Sequence, residues 1–381
     1  MTGIFWTSLL LAVFAYAGYP LMMACLAWLR PLPVQRRNIT PGIDVLLVVH
    51  DGASWVLAKQ ANLLVLDYPS AQLRINIVCD GCSDNTEALL RANSDPRVRV
   101  FAYPDRRGKS ACIGDVLPAL DRELVLFTDV RQRLDAGAAR ALAAVFADPS
   151  VGAASGELML EEAHGFGKGI DAYWRYEKLI RRVESASGSL VGVTGALYAA
   201  RRAALPPVPR GLILDDMWIP LRIAGSGLRV VFVPDARAFD PAAIDAQSEQ
   251  HRKRRTLAGN FQLLHWWPQL ALPGAHPLAL RLWGHKWLRL LAPWLLLMAF
   301  VSNAMLAFAS PVYALLFAGQ ACGYALVVVG RGFPASMALA PVRLASAFFS
   351  LNLSAARALI DYLGNRDGHL WPVARLEKTL Q

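Results

Sequence analysis

Residues 1–29 carry no charged side chain, and the run from Ile4 to Leu29 is almost wholly apolar. At about 1.5 Å per residue, a helix of this length crosses a hydrocarbon core of about 30 Å. A secretory signal would show a basic start and a shorter apolar stretch. Ala15-Tyr16-Ala17 faintly resembles a cleavage site, but the uncharged start and the long run favour an uncleaved anchor. Arg30, Arg36 and Arg37 follow with no positive charge before them, so residues after 30 are expected on the cytoplasmic side, in a bacterial cell at the inner membrane.

Two further apolar runs lie near the other end of the chain. Leu288–Ala309 holds only Arg289, Val312–Val329 holds no charge, and Ser310-Pro311 between them fits a tight turn on the far side of a membrane. Arg331 then returns to the cytoplasmic side. Residues 335–363 include Arg343, Asn352 and Arg357, which leaves an interfacial helix or a third C-terminal span. Arg366, Arg375 and Lys378 beyond it favour the interfacial reading. The net charge is +10, and it is not spread evenly. From Gln250 to Ile360 there is no Asp or Glu but there are ten basic residues, while the rest of the chain balances to zero. With 55% hydrophobic residues, the composition excludes a disordered chain and argues against a purely soluble globule. Trp266, Trp267, Trp283, Trp287 and Trp294 flank the spans as an aromatic belt would.

Between about 44 and 249 the pattern is that of a cytoplasmic α/β domain. Residues 45–49, 73–79, 124–128 and 230–233 read as short buried strands with helical patterns between them, which predicts a doubly wound, mostly parallel sheet. The whole divides into an anchor (1–30), the α/β domain (40–249), a basic interfacial segment (250–286), two membrane helices (287–330) and a last helix with a tail (331–381). Five cysteines imply no disulfide framework and a reducing compartment. Cys79 and Cys82 have the spacing of a redox pair or half a zinc site, but with no second pair they read as packing residues. His164, His276, His285 and His369 show no ligand spacing, and Glu161-Glu162 reads as a solvated helix face.

In such a sheet, ligands bind at the carboxyl ends of the strands. Asp80, Asp129 and the pair Asp215-Asp216 each follow a strand or an apolar run. Each alone could cap a helix. Converging, they suit a divalent metal and a phosphorylated ligand, because hard oxygens hold Mg²⁺ or Mn²⁺ against phosphate.

The order of motifs resembles that of the membrane-bound family-two inverting glycosyltransferases, the group of the cellulose, hyaluronan and poly-N-acetylglucosamine synthases. The resemblance runs through Lys59 to Pro69, Asp80 to Thr86, Arg107-Gly-Lys-Ser110, Phe127 to Gln132, Tyr173-Trp-Arg-Tyr-Glu177, Gly192 to Tyr198 and Ile213-Leu-Asp-Asp-Met217. It implies the nucleotide-diphospho-sugar transferase fold and a UDP-sugar donor. Asp80 would bind the uracil or ribose, with Lys109 beside the base and His50, Asp51 and Asp215 on the donor side. Asp129 would hold the metal, Arg255 the diphosphate, and Asp216 would be the general base. Trp174, Gly195 and Trp266 would lie on the acceptor side.

The departures from the family are specific. His50-Asp51-Gly52 stands where the family usually reads Tyr-Asn-Glu, and Asp129-Val-Arg131 where it reads Asp-x-Asp. Arg252 and Thr256 replace the Gln and Trp of a Gln-x-x-Arg-Trp motif, which implies few additions rather than a long polymer. The expected function is transfer from a UDP-sugar to a lipid-linked or membrane-proximal saccharide. The alternative is a non-catalytic membrane scaffold or a sugar-nucleotide-sensing subunit of a polysaccharide complex. A small transporter is disfavoured because the spans lack an acid. The basic run from His251 to Arg255 is read as contact with anionic lipid and the diphosphate, ahead of nucleic acid.

Overall fold

The computed structural model describes residues 1–364 except 94, 162–166 and 242–245, together with 368 and 370; over 167–173 and 246–251 it describes the backbone alone. Glu162, His164, Arg366, His369, Arg375 and Lys378, and the side chains of Tyr173 and His251, lie outside the described residues. The chain forms two units, one built around a sheet and one of helices. The strands are β1 Ile43–Val49, β2 Leu73–Asp80, β3 Val98–Tyr103, β4 Leu124–Thr128, β5 Arg133–Leu134, β6 Val151–Leu160, β7 Leu197–Arg201 and β8 Arg229–Asp240. The longer helices are α1 Thr2–Leu29, α2 Val56–Leu64, α3 Thr86–Ala92, α4 Lys109–Val116, α5 Ala138–Val145, α6 Gly167–Ala186, α7 Asp215–Gly225, α8 Ala246–Trp266, α9 Ala279–Leu306, α10 Pro311–Gly332 and α11 Ala340–Gly364.

The sheet order is β3-β2-β1-β4-β7-β6-β8-β5. The first four strands run parallel, as do β6 and β8. The reversed strand β7 lies between β4 and β6, and β5 is antiparallel to β8. This is the expected α/β sheet with one strand turned round at its middle. All seven residues of β1 are buried, which is why residues 45–49 read as an unbroken apolar run. Ile43, Val45, Leu47 and Val49 share one core with Val56 and Leu63 of α2, Leu90 of α3 and Leu142 of α5. Val48, on the other face, lines a cleft with Lys109 of α4.

One carboxylate fastens the amino ends of the parallel strands. Asp44 in β1 is 0% exposed. Its Oδ1 accepts from Arg74 Nε at 2.7 Å and Asn76 Nδ2 at 3.0 Å, both in β2. Its Oδ2 accepts from the backbone N–H of Asp121 (3.1 Å) and Arg122 (3.0 Å), just before β4.

In the helical unit, α1, α9 and α10 are long and apolar enough to cross a membrane. The break between α9 and α10 falls just before Pro311. Trp287, read as part of an aromatic belt, is instead 2% exposed. Helix α6 belongs to this unit although its sequence lies inside the 40–249 block, because Tyr176, Ile180 and Val183 pack against Tyr19 and Met23 of α1. Both α1 and α9 contain a wide i→i+5 turn, at Phe14–Gly18 and Trp283–Trp287. A Cβ at Gly284 would fall 2.0 Å from the Tyr19 ring, so the second turn needs glycine where it meets α1. Beside it, His285 places Nδ1 2.8 Å from Glu184 and Nε2 3.1 Å from Glu177, Tyr19 donates to Glu184, and Arg289 pairs with Glu177. His285, which its spacing left without a role, is the centre of this buried polar seam.

Burial acts to raise the Asp44 pKa, but the Arg74 guanidinium and the amides outweigh it and hold the carboxyl below its usual range. A depressed folded value means that the contribution is complete above the unfolded value of about 3.9 and is lost as pH falls through the folded one. Asp44→Asn should cost about 1–3 kcal/mol, since it removes a buried acceptor of charged and amide donors while Arg74 keeps Asp121. Thermal unfolding at pH 7 and pH 3 should show that loss shrinking at the lower pH.

Candidate active site

Backbone direction brings the charged groups together. Because β7 runs antiparallel, its start at Leu197 lies opposite Thr128, the last residue of β4. Thr128 Oγ1 donates to the Ala196 carbonyl at 2.9 Å, so Gly195 arrives beside Asp129. The segment before α7 is drawn in separately: Leu212 N–H donates to Ser110 Oγ in α4 at 3.1 Å, and Val193 N–H donates to the Asp216 carbonyl at 2.9 Å.

At the centre is Lys109. Its Nζ lies 2.8 Å from Asp129 Oδ1 and 3.5 Å from Asp215 Oδ2. Burial alone would drive off its proton, but Asp129, then Asp215, outweigh burial and hold the pKa above the usual lysine value. The missing side chain of Gly195 defines the space they face. A Cβ built there would stand 3.5 Å from Asp216 Oδ2, 3.7 Å from Lys109 Nζ and 3.8 Å from Asp129 Oδ2.

Asp80 is used differently. Its Oδ1 accepts from the Arg107 amide at 2.7 Å and its Oδ2 from the Gly108 amide at 2.8 Å, which fixes the turn into α4. Gly108 needs its φ of 87° there, a region open to glycine. His50 Nδ1 donates to the Asp80 carbonyl at 2.7 Å. Asp51 has φ 47° and takes hydrogen bonds from Ser83 N–H (2.7 Å) and Ser83 Oγ (2.9 Å); these outweigh burial and keep its carboxyl below the ordinary range. Val48, His50, Asp80, Arg106, Gly108 and Lys109 line a cleft. His50, Asp51, Asp80, Lys109, Asp129, Gly195, Asp215 and Asp216 thus all belong to the sheet unit. Trp174 on α6 and Arg255 and Trp266 on α8 belong to the helical unit.

The residues suit a divalent ion to a limited extent. Asp129 Oδ2 is the hard oxygen that faces the Gly195 space, while its Oδ1 is taken by Lys109. That suits an ion bound by one carboxylate with phosphate oxygens supplying the rest.

The glycosyl transferase family group 2 profile matches residues 124–328, more than half of the chain. The chain belongs to this family. It is 29% identical over 223 residues to an N-acetylglucosaminyltransferase of Rhizobium meliloti (strain 1021), covering 54% of this chain and 52% of that protein. A second N-acetylglucosaminyltransferase, from Rhizobium sp. (strain N33), is 25% identical over 219 residues, covering 53% of this chain and 48% of the relative. The chain therefore spans about half the length of these curated relatives. A mannosyltransferase of Pyrobaculum calidifontis, solved in complex with GDP-Man and Mn²⁺, gives a TM-score of 0.69 at 23% identity over 95% of this chain and 99% of that one. This likeness shows the shared nucleotide-sugar transferase fold.

Two residues that lie within the family-like motifs were given no role by them. Lys59 is buried in α2, where its Nζ donates to Thr128 Oγ1 at 2.8 Å and to the Gln132 carbonyl, so it backs the Asp129 loop. Burial lowers its pKa to about 7, with Asp129 opposing. Tyr198 stacks on Phe127 with ring centroids 4.4 Å apart, and its buried hydroxyl has no hydrogen-bond partner among the described residues. Burial, then Asp215, push that hydroxyl well above the usual tyrosine range. Lys59 opens one motif of the resemblance and Tyr198 closes another, which marked their segments but not what either side chain does.

Gly195→Ala adds a methyl at ordinary van der Waals distance, so the fold should persist with an unchanged unfolding temperature. The methyl fills the space between the acids and Lys109. Affinity for a nucleoside diphosphate, measured by calorimetry, should fall about tenfold, equivalent to about 1.4 kcal/mol.

Proposed function

We propose that the chain is an inverting glycosyltransferase that moves a sugar from a UDP-sugar to a lipid-linked or membrane-proximal saccharide. The observation that carries this reading is the convergence of Lys109, Asp129, Asp215 and Asp216 on the open side of Gly195. Asp216 is the general base: its carboxylate takes the proton of the acceptor hydroxyl as that oxygen attacks the anomeric carbon from the face opposite the leaving group. One displacement inverts the anomeric centre and needs no protein nucleophile. Lys109 presents positive charge where the diphosphate departs, and Asp129 with Asp215 keeps that ammonium in place. A divalent ion, Mg²⁺ or Mn²⁺, would be held by Asp129 and the donor phosphates and would neutralise charge developing on the leaving group.

The relatives' names support N-acetylglucosamine as the first sugar to test. Arg252 and Thr256, in place of the Gln and Trp of the processive synthases, support one or few additions. Arg30, Arg36 and Arg37 after α1 support a cytoplasmic sheet unit in an inner membrane, and the basic run up to Arg255 supports contact with anionic lipid rather than nucleic acid.

Purified protein with membrane lipid extract and Mg²⁺ or Mn²⁺ should release UDP from UDP-N-acetylglucosamine above a no-enzyme control. Asp216→Asn should cut the transfer rate by at least about 10²-fold, the usual scale of a general base, with UDP affinity nearly unchanged. Transfer at the wild-type rate in that variant would remove Asp216 from the mechanism. Absence of UDP release from a full panel of UDP-sugars would favour a non-catalytic subunit.

A further inference from the structure

Two cysteines stand beside the cleft without a part in the chemistry above. Cys79 is buried near the end of β2, and Cys82 is half-buried in the loop leading to α3. Cys79 belongs to the core on one face of the sheet, and Cys82 packs against that same core. Cys82 Sγ also reaches the Val49 carbonyl at 3.6 Å, and Val49 is the β1 residue paired with Cys79 across the sheet. The two residues between them are Asp80 and Gly81. Gly81 has φ 58°, and a Cβ there would fall 2.3 Å from the Arg106 amide nitrogen, so this turn is pressed against the segment that Asp80 holds. Asp80 binds the Arg107 and Gly108 amides through its carboxylate and His50 through its carbonyl. Any movement of the 79–82 turn is therefore passed directly to the lining of the cleft and to the start of α4.

We propose that Cys79 and Cys82 are a reversible dithiol–disulfide site, and that closing the disulfide weakens nucleotide binding in the adjacent cleft. The second half rests on the donor reading given above. The site takes a low-molecular-weight disulfide as its oxidant. Cys82, the more accessible thiol, attacks as thiolate: Cys79 and the Asp51 amide hold its thiol below the ordinary range against burial, while the same Cys82 contact and burial push Cys79 up. A bond forms from Cys82 Sγ to one sulfur of the small disulfide, and the other half leaves as a thiolate. That thiolate takes up the proton lost by Cys79, whose sulfur attacks Cys82 Sγ and expels the second thiol. Two protein thiols become one disulfide, and one small disulfide becomes two thiols. The sulfurs must then close to about 2.05 Å, which bends the turn through Asp80 and Gly81. Cys112 also neighbours Asp80, but burial pushes its thiol up to about 12, which makes it a poor competitor.

The test uses the full chain in detergent across a glutathione redox series, with peptide mapping of disulfides and calorimetric UDP affinity in each state. Oxidation should yield a Cys79–Cys82 bond and raise the UDP Kd about tenfold, and a reductant should reverse both. Cys82→Ser should keep the reduced-state UDP affinity and lose the response. The proposal is overturned by the absence of this bond in oxidised glutathione, by a bond to Cys112 instead, or by a Cys79–Cys82 bond that leaves the UDP Kd unchanged. If the reduced protein has no UDP affinity, the donor reading and with it the binding half fail, while the disulfide map still decides the modification site.

Discussion

The carboxylates of Asp129 and Asp216 meet beside Gly195 with the Lys109 ammonium, which also pairs with Asp215. Unit charges about 4 Å apart interact by about 1–4 kcal/mol in the effective dielectric range of a protein surface, so carboxylates gathered at one site need a neighbouring cation to offset their mutual repulsion. Lys109 meets that need, and its own position depends on a sequence of backbone contacts. Asp80 grips two amides, Gly108 turns with positive φ, and α4 begins with the lysine already aimed at the strand ends. Asp80, expected only to touch the donor, is thus also the residue that orients the central cation.

What could be read from the sequence follows from how each element is buried. The strands at 43–49, 73–80 and 124–128 are covered on nearly every residue, so their apolar cores at 45–49, 75, 77–79 and 124–127 can be read despite Asp44, Arg74 and Asn76. β3 lies at the sheet edge with exposed positions including Arg99, which hides it. β7 is short and alanine-rich, and β8 was read only at 230–233 because Pro234-Asp235 interrupts its pattern. Strand ends could be inferred, and with them the acids. The reversal of β7 could not, because strand direction leaves no local mark. Gly195, carried over from the resemblance for the acceptor side, meets the acids only because of that reversal.

The charge distribution along the sequence was informative in sign but not in detail. The absence of acids from 250 to 360 marks the membrane region, yet Arg289 and His285 find their acidic partners on α6, more than a hundred residues away in the chain. A one-dimensional count separates those charges, whereas the fold pairs them. Helix α6 reads as soluble because its polar residues dominate its average, although a stripe of Tyr176, Ile180 and Val183 packs on α1.

That pairing has a consequence for synthesis. Glu184 and His285 are 101 residues apart, and Glu177 and Arg289 are 112 apart. At about 5–20 residues per second, the ribosome completes α6 roughly 5–20 seconds before the basic side chains that will face it exist. During that interval two carboxylates stand on a helix whose apolar stripe is already drawn towards the first span. The nascent chain must keep this helix near water until α9 emerges, so the final docking of α6 is one of the late events in the making of this protein.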